Sequence, residues 1–307
     1  VTTREDQPVA VCPSVDPDGW REAFEVFTGR LDRRFGRVES RGRMRRFLSG
    51  LMAGLPRVNC WTLAEHAGES SPGGMQHFLA GAVWDDDGLR ADLRDYVVET
   101  FGDPEAVFVF DETGDVKKGT ATVGVQRQYT GTAGRIENSQ VAVYLTYATA
   151  AGHALIDNAL YLPASWTSAP GRLSAAGVPD GVAFATKPAL ARRMVTDALD
   201  AQVPAAWATG DEVYGNDPAL RAALARRRLG YVLAVAKTHQ IDTKAGKKKA
   251  IDLAVTLPAT AWNRVSAGNG AKGHRLYDWA LVTTGDQDLP GEHHLLIRRN
   301  INTGEVG

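Results

Sequence analysis

Apolar residues in the first third of the chain recur at helical spacing. Trp20, Phe24, Phe27, Leu31 and Phe35 lie three or four apart and form one stripe, with Asp18 as a candidate N-cap. MRRFLSGLMAGL (44–55) repeats the pattern until Pro56 stops it. A third helix is predicted from Thr62, with Thr62 and Glu65 forming a capping box and Gly68 ending it. A fourth begins near Ser71-Pro72 and includes MQHFLAGAVW. A fifth is DDGLRADLRDYVVETFG, capped by Asp86 or Asp87 and stopped by Gly102. Helix, turn and helix over 62–83 fit both a helix-turn-helix and a plain helical bundle. Residues 1–17 are polar and contain proline, and read as a flexible arm.

At Asp103-Pro104 the period changes. Runs 106–112, 122–129 and 140–149 are rich in β-branched and aromatic residues and read as strands. The segment 151–180 reads as a long connection. A helix follows over 187–202, with Pro188 in its first turn, then a strand over 204–212. A helix over 217–228, capped by Asn216 or Asp217, and a strand over 231–237 complete this part. A polar, Lys-rich loop then runs to about Ala250, and two β-like runs, 278–284 and 293–299, come after it. The organisation expected is an arm (1–17), a helical and DNA-binding domain (18–102), a mixed α/β core (103–237) and a β-rich region (238–307).

Composition narrows the class. The chain has 307 residues, 44% hydrophobic and 23% charged, which suits a globular protein with a real core. No apolar run approaches the roughly 20 residues of a membrane helix, and the N-terminus does not read as a signal peptide. Two cysteines, Cys12 and Cys60, make neither a disulfide framework nor a zinc pattern, so a reducing cytoplasm is expected. Net charge of −1 argues against a uniformly basic nucleic-acid binder. Local basic clusters do exist: RGRMRR (41–46), Lys117-Lys118, Arg192-Arg193, Arg226 to Arg228 and KAGKKK (244–249).

Two acidic pairs change the picture. Strand-strand-strand-helix-strand-helix-strand is the element order of the ribonuclease-H-like fold, a mixed α/β sheet flanked by helices. That order sets 106–112 beside 204–212, and each run ends on a pair: Asp111-Glu112 and Asp211-Glu212. Neighbours on a strand face opposite sides, so one acid of each pair can serve a shared site; the aspartates are the candidates. Oxygen-only ligands favour Mg²⁺ or Mn²⁺, and a pair of such ions suits phosphodiester cleavage.

Long runs carry a resemblance. FVFDETGDVKKG, VGVQRQYTGTAGRIENSQVAVYLTYA, LYLPASW, FATKPALARRM, VTDALDAQVPAAWATGDEVYG, YVLAVAK and AGNGAKGHRLYDWALV resemble bacterial insertion-sequence transposases of the DDE type, in the broad IS4-like group. WTLAEHAG and DLRDYVVETFGDP resemble the N-terminal helical region of that group, and the match extends from about Arg34 to about Arg299. The resemblance implies a cut-and-paste DNA transposase, an Mg²⁺- or Mn²⁺-dependent endonuclease that cleaves element ends and joins them to target DNA. It implies Asp111 as the first metal-binding acid and Asp211 as the second. The third should be a Glu on a helix beyond the inserted β region, in a run like R-W-x-V-E-E-x-F-Q. No such run is present, and after Asp288 the acidic residues are Glu292 and Glu305, both in loop-like context. The expectation is therefore a C-terminally truncated chain that is inactive alone and leaves the end of its sheet uncovered. The alternative is a non-catalytic DNA-binding remnant or inhibitor.

The same resemblance weighs the remaining residues. Lys117 and Lys118 are expected at a turn beside Asp111, touching phosphates or simply closing a solvated hairpin. Arg127 and Arg135 are similar candidates. Tyr214 follows the second acid and either packs on sugar or base or caps the sheet, with Gly215 allowing a sharp turn. Lys247, Lys248 and Lys249 either supply sequence-independent DNA binding or form a charged loop. Trp166, Trp207, Trp262 and Trp279 are expected to pack. The partners implied are DNA ends, target DNA and further copies of the chain, in a bacterial nucleoid-associated setting without a membrane.

Overall fold

The computed structural model describes residues 16–243, 246–270, 273–284 and 289–306. The expected arm lies almost wholly outside the described residues, as do Cys12 and Lys244. The chain divides into two compact units, Val1–Glu99 and Thr100–Gly307.

The first unit is helical: α1 (Pro17–Leu31), α2 (Val38–Met52), α3 (Cys60–His66), α4 (Gly73–Gly81) and α5 (Asp86–Phe101). Its caps differ from those predicted. Asp16, not Asp18, caps α1 by accepting the N–H groups of Asp18 and Gly19. Asn59 caps α3, and Thr62 is the third helical residue that returns the capping-box bond. Asp85 accepts from Gly88 N at 3.0 Å at the start of α5. In each case a short polar side chain just ahead of the first turn reaches an orphan N–H better than one inside it. Leu31, Phe35, Met44 and Phe78 form the core, and a second cluster is Leu63, Ala64 and Met75. Trp20 belongs to the predicted stripe by spacing but is 59% exposed. Much of the basic run 41–46 is engaged within the unit. Arg45 pairs with Glu25 and Asp32, Arg46 with Glu69, and Arg41 donates to the Phe35 carbonyl.

The second unit holds a six-stranded mixed sheet: β1 (Val107–Val116), β2 (Gln126–Thr130), β3 (Arg135–Ala148), β4 (His153–Tyr161), β5 (Trp207–Gly210) and β6 (Gly230–Leu233). The order is β2-β3-β1-β5-β6, with β4 also on β3. β2 takes residues 135–139 of β3, and β4 takes 141–148. The ribonuclease-H-like strands are thus β4-β3-β1-β5-β6, and β2 extends the far end of β3. This corrects the predicted strand roles, because 153–161 was expected within a connection. Its sequence, HALIDNALY, has Asp157 and Asn158 at its centre and only Ile156 fully buried, so it lacks a core-strand signature. The short helices α6 (Ala164–Thr167) and α7 (Pro170–Ala175) follow it within the same predicted connection.

Helices α8 (Lys187–Asp200), α9 (Glu212–Gly215) and α10 (Pro218–Arg226) complete the layer over one sheet face. Phe108, Phe110, Val141, Val143, Leu145, Tyr147 and Ala208 are buried on that face, together with Leu190, Ala191 and Met194 of α8. Trp166 is buried, its indole N–H donating to the Val125 carbonyl at 2.8 Å. Trp207, expected to pack, is 47% exposed on the other face, where Val232 is 57% exposed.

The remaining elements are β7 (Gln240–Thr243), β8 (Gly246–Lys249), α11 (Ala250–Thr256), β9 (Asn263–Gly270), β10 (Gly273–Thr283) and β11 (His294–Asn300). β7 and β8 form a hairpin where a Lys-rich loop was expected. The two predicted β runs correspond to β10 and β11, which join β9 in a three-stranded sheet. Leu253 and Ala254 of α11 pack with Leu295 and Ile297 of β11. Among the described residues, no helix is long and apolar enough to cross a membrane.

Candidate carboxylate site

β1 does not stop at its acidic pair. It stays paired with β3 through Val116, whereas its parallel partner β5 ends at Gly210, opposite Phe110. Asp111 is therefore the first β1 residue past the end of β5, and Asp211 the first residue past β5 itself. The register Val109↔Thr209, Phe110↔Gly210 places positions 111 and 211 side by side. Directly opposed residues share a face, so Asp111 and Asp211 belong to the face of Val107 and Val109, while Glu112 belongs to the face of Phe108 and Phe110. Tyr144 of β3 lies across from Asp111 on the same face.

Asp211 keeps extended backbone geometry (φ −76°, ψ −171°) and caps α9 by accepting the Val213 N–H at 2.9 Å. More than a third of the residue is open to solvent and the rest is buried. That partial burial raises its pKa above its ordinary value. The Val213 N–H opposes the rise, and the charges of Glu112 and Asp111 add to it.

Glu112 is engaged on the other face. Lys187 Nζ donates to its Oε1 at 2.6 Å, and the Tyr214 hydroxyl donates to its Oε2 at 2.7 Å. The Glu112 and Lys187 side chains are only 15% and 18% exposed, and Tyr214 is fully buried. Tyr214 packs against Phe110 in a tilted pair, 5.8 Å between ring centroids. Burial, followed by the Glu112 carboxylate, holds the Tyr214 hydroxyl far above its ordinary pKa. The expectation of a DNA-facing Tyr214 is thereby overturned: its ring fills the core and its hydroxyl is spent on Glu112. Gly215 also acts differently from the expected turn. A Cβ there would meet the Ala234 carbonyl oxygen at 1.8 Å, so its role is close approach of α9 to the end of β6.

The basic candidates lie elsewhere. Because β1 continues, Lys117 is six residues beyond Asp111, about 20 Å along the strand rather than beside it. Lys117 pairs with Asp115, and Lys118 is exposed. Asn138 pins this turn by donating to the carbonyls of Lys117 and Gly119. Arg127 and Arg135 are exposed on β2 and β3, with Arg135 paired to Glu137. Lys247, Lys248 and Lys249 are exposed on β8, and Lys247 lies 3.9 Å from Asp242. Glu292 sits near His294 at 3.6 Å, and Glu305 pairs with Lys237 at 3.3 Å. Among the described residues, no group of three or more His, Cys, Asp or Glu is placed to hold a metal ion. Sequence reasoning missed Lys187, Tyr144 and Asn138. The first sits at a helix start with no local hint of Glu112, and the others become visible only through β3 register.

The profile of the DDE superfamily endonucleases matches residues 30–247, most of the chain and all of the strands that carry the two aspartates. The chain belongs to that family. Over 94 residues it is also 34% identical to a protein of Microchaete diplosiphon named as a probable transposase for insertion sequence element IS701. That stretch is 31% of this chain and 25% of the cyanobacterial protein, so the match spans about a quarter of that relative. DDE endonucleases generally use divalent metal ions. The donor set of this DDE endonuclease suits one, because Asp111 and Asp211 offer only oxygen, and their mutual repulsion would be relieved by a cation.

Proposed function

We propose that this chain is a DNA transposase whose acidic pair, Asp111 and Asp211, holds Mg²⁺ or Mn²⁺. The observation that carries the reading is the β1–β5 register, which sets the two aspartates side by side on one sheet face. Family membership supports the endonuclease activity, and both aspartates lie within the matched residues 30–247. Glu112 and Glu212 are set aside, the first because Lys187 and Tyr214 occupy it, the second because it lies in the first turn of α9, past the shared face. Bound there, a divalent cation supplies charge stabilisation at the reacting phosphorus. The chain's own share is to fix both carboxylates. β1 is held by β3, the Asp211 backbone by its cap on α9, and the two by the Glu112–Tyr214 bond. Cleavage of element ends and their transfer to target DNA is the activity this assigns.

A second reading, a DNA-binding protein without catalysis, is favoured by one observation. No third carboxylate joins Asp111 and Asp211 among the described residues, with Glu292 and Glu305 placed beside His294 and Lys237 instead. One assay separates the two: Mn²⁺-dependent nicking of supercoiled plasmid by the whole chain, beside a thermal-shift titration with Mn²⁺. Nicking abolished by Asp111→Ala supports the transposase. A Mn²⁺ shift without nicking supports the second reading. No Mn²⁺ response in either assay sinks the metal site.

A further inference from the structure

The face that carries Asp111 and Asp211 does not end at them. Tyr144, opposite Asp111, shares its face with Asn138 and Ile136 farther along β3. Ile136 is paired with Tyr129 of β2, and Asn138 with Arg127. From Tyr144 to Ile136 is eight residues, about 27 Å at roughly 3.4 Å each. At that far end Tyr129 is 61% exposed and Ile136 is 58% exposed, side by side on a hairpin with Arg127 next to them. Arg127 and Lys118 make no ion pair among the described residues. The hairpin is nonetheless firmly seated. On its inner side Thr130 packs where a Cβ at Gly114 would meet its Oγ1 at 2.1 Å, and Gln128 donates to the Ser139 carbonyl at 2.8 Å. The hairpin thus presents an aromatic ring, an aliphatic side chain and the Arg127 guanidinium to solvent, with Lys118 in the turn that Asn138 pins.

We propose that this β2–β3 hairpin face is a second contact surface for duplex DNA, with Tyr129 and Ile136 packed against the sugar or base edges and Arg127 and Lys118 on phosphates. The proposal rests on the transposase reading, because DNA must bring a phosphate to the Asp111–Asp211 face. Duplex DNA is stiff over about 150 base pairs, so a helix engaged at the acids and aligned with β3 cannot leave the face within 27 Å. That distance is about eight base pairs at roughly 3.4 Å per step. Cations supply sequence-independent attraction there, and side chains packed on the sugars fix the register of the duplex without reading its sequence. A protein partner is the less favoured occupant, because the unpaired cations would have to be buried without acids beside them.

The test uses the whole chain and a fluorescein-labelled 24-base-pair duplex of random sequence, titrated at several salt concentrations. Tyr129→Ala is expected to weaken binding about ten-fold, the loss of one well-packed contact, and Tyr129→Phe to keep it near wild type. Arg127→Ala is expected to flatten the slope of log K against log salt by about one. Unchanged melting curves show that the variants fold. A photo-crosslinking residue at 129 is expected to label the duplex, and one at Asp197, exposed on α8 over the opposite sheet face, is not. If wild type binds and the variants bind equally well, the hairpin surface is wrong while the transposase reading stands. If the variants leave DNA binding intact but abolish self-association in sedimentation, the face is a protein interface and the proposal fails. If wild type does not bind the duplex at all, the transposase reading fails and takes this surface with it.

Discussion

The hydroxyl of Tyr214 donates to Glu112 at 2.7 Å, and this bond ties the strand of one candidate metal-binding acid to the turn of the other. Glu112 follows Asp111, and Tyr214 lies in the helix that Asp211 caps. Tyr214→Phe keeps the ring against Phe110 but removes a hydrogen bond to a charged group, a loss of about 2 kcal/mol in urea unfolding. Tyr214→Ala also empties core volume and is expected to cost about 4 kcal/mol. A Tyr214→Phe variant as stable as wild type would show that Lys187 alone satisfies Glu112.

Asp211 gives a pH prediction of unusual sign for an aspartate. Its folded pKa lies above the unfolded value, first through partial burial, then through Glu112 and Asp111. The folded state therefore holds its proton more tightly. That contribution is complete below the unfolded pKa of about 3.9 and is lost as pH rises through the folded value. At neutral pH the charge works against folding. Asp211→Asn, which can still cap α9, is expected to be more stable than wild type at pH 7, with the gap closing in acid. Asp111→Asn should lower the Asp211 pKa, read by carboxyl NMR titration. No movement would place the two charges out of reach of one another.

How much of this was legible in the sequence depends on how local each cause is. The helical stripes and the β1 and β5 runs declared themselves, because burial of one face imposes a period on the residues. The first acidic pair was legible for the same reason, since alternation along β1 turns Asp111 and Glu112 to opposite faces, whereas Glu212 is set apart from Asp211 by the start of α9. β4 was not legible, since HALIDNALY lies at the sheet edge and buries little. The extension of β1 past Asp111 was hidden by Thr113-Gly114-Asp115, which reads as a turn. Gly114 is there because Thr130, distant in sequence, occupies the space of a side chain. Tyr214 misled for a related reason: its proximity to Asp211 is visible in sequence, but its burial against Phe110 and Glu112 is a tertiary fact.

The helical unit has its own acid-sensitive centre. Asp92, with 1% of its side chain exposed, accepts from Arg34 at 2.7 and 2.8 Å and from Arg33, and Arg34 also reaches Asp85 at 2.7 Å. The Arg34 hydrogen bonds hold the Asp92 pKa well below the carboxylate range, with Arg33 adding to them against the opposing effect of burial. A depressed pKa stabilises above the unfolded value of about 3.9 and is lost as pH falls toward the folded one. Asp92→Asn is expected to cost about 3 kcal/mol at pH 7, by taking the buried acid from Arg33 and leaving Arg34 with Asp85 alone. It should also blunt acid unfolding below about pH 4. Equal melting temperatures for the two proteins at pH 7 would contradict this.

Gly215 is a packing test of the site's frame. A methyl group there would sit 1.8 Å from the Ala234 carbonyl oxygen and 3.1 Å from Leu233 Cβ, so backbone must move. Gly215→Ala is expected to destabilise by about 3 kcal/mol, at the upper end of ordinary overpacking, because a carbonyl cannot rotate away as a side chain does. The displaced α9 carries Asp211 with it, so Mn²⁺ thermal shifts should shrink along with stability. A well-folded Gly215→Ala protein with an undiminished Mn²⁺ shift would separate the helix from the site.

The β7–β8 hairpin supplies the last test. Its three lysines, Lys247, Lys248 and Lys249, are exposed on β8, and the nearest acid is Asp242 at 3.9 Å from Lys247. A strand sends alternate side chains to opposite faces, so Lys247 and Lys249 share one side and Lys248 faces away. If DNA lies along one side of this hairpin, at most two of the three release counterions on binding. If the duplex wraps the edge, all three do. Replacing all three with Gln is expected to flatten the slope of log K against log salt by about two in the first case and nearly three in the second. Lys248→Gln alone distinguishes the cases, since it should leave the slope unchanged only when one side is used. A slope unaltered by the triple variant would remove the hairpin from the DNA path and leave duplex binding to the sheet face that carries Asp111.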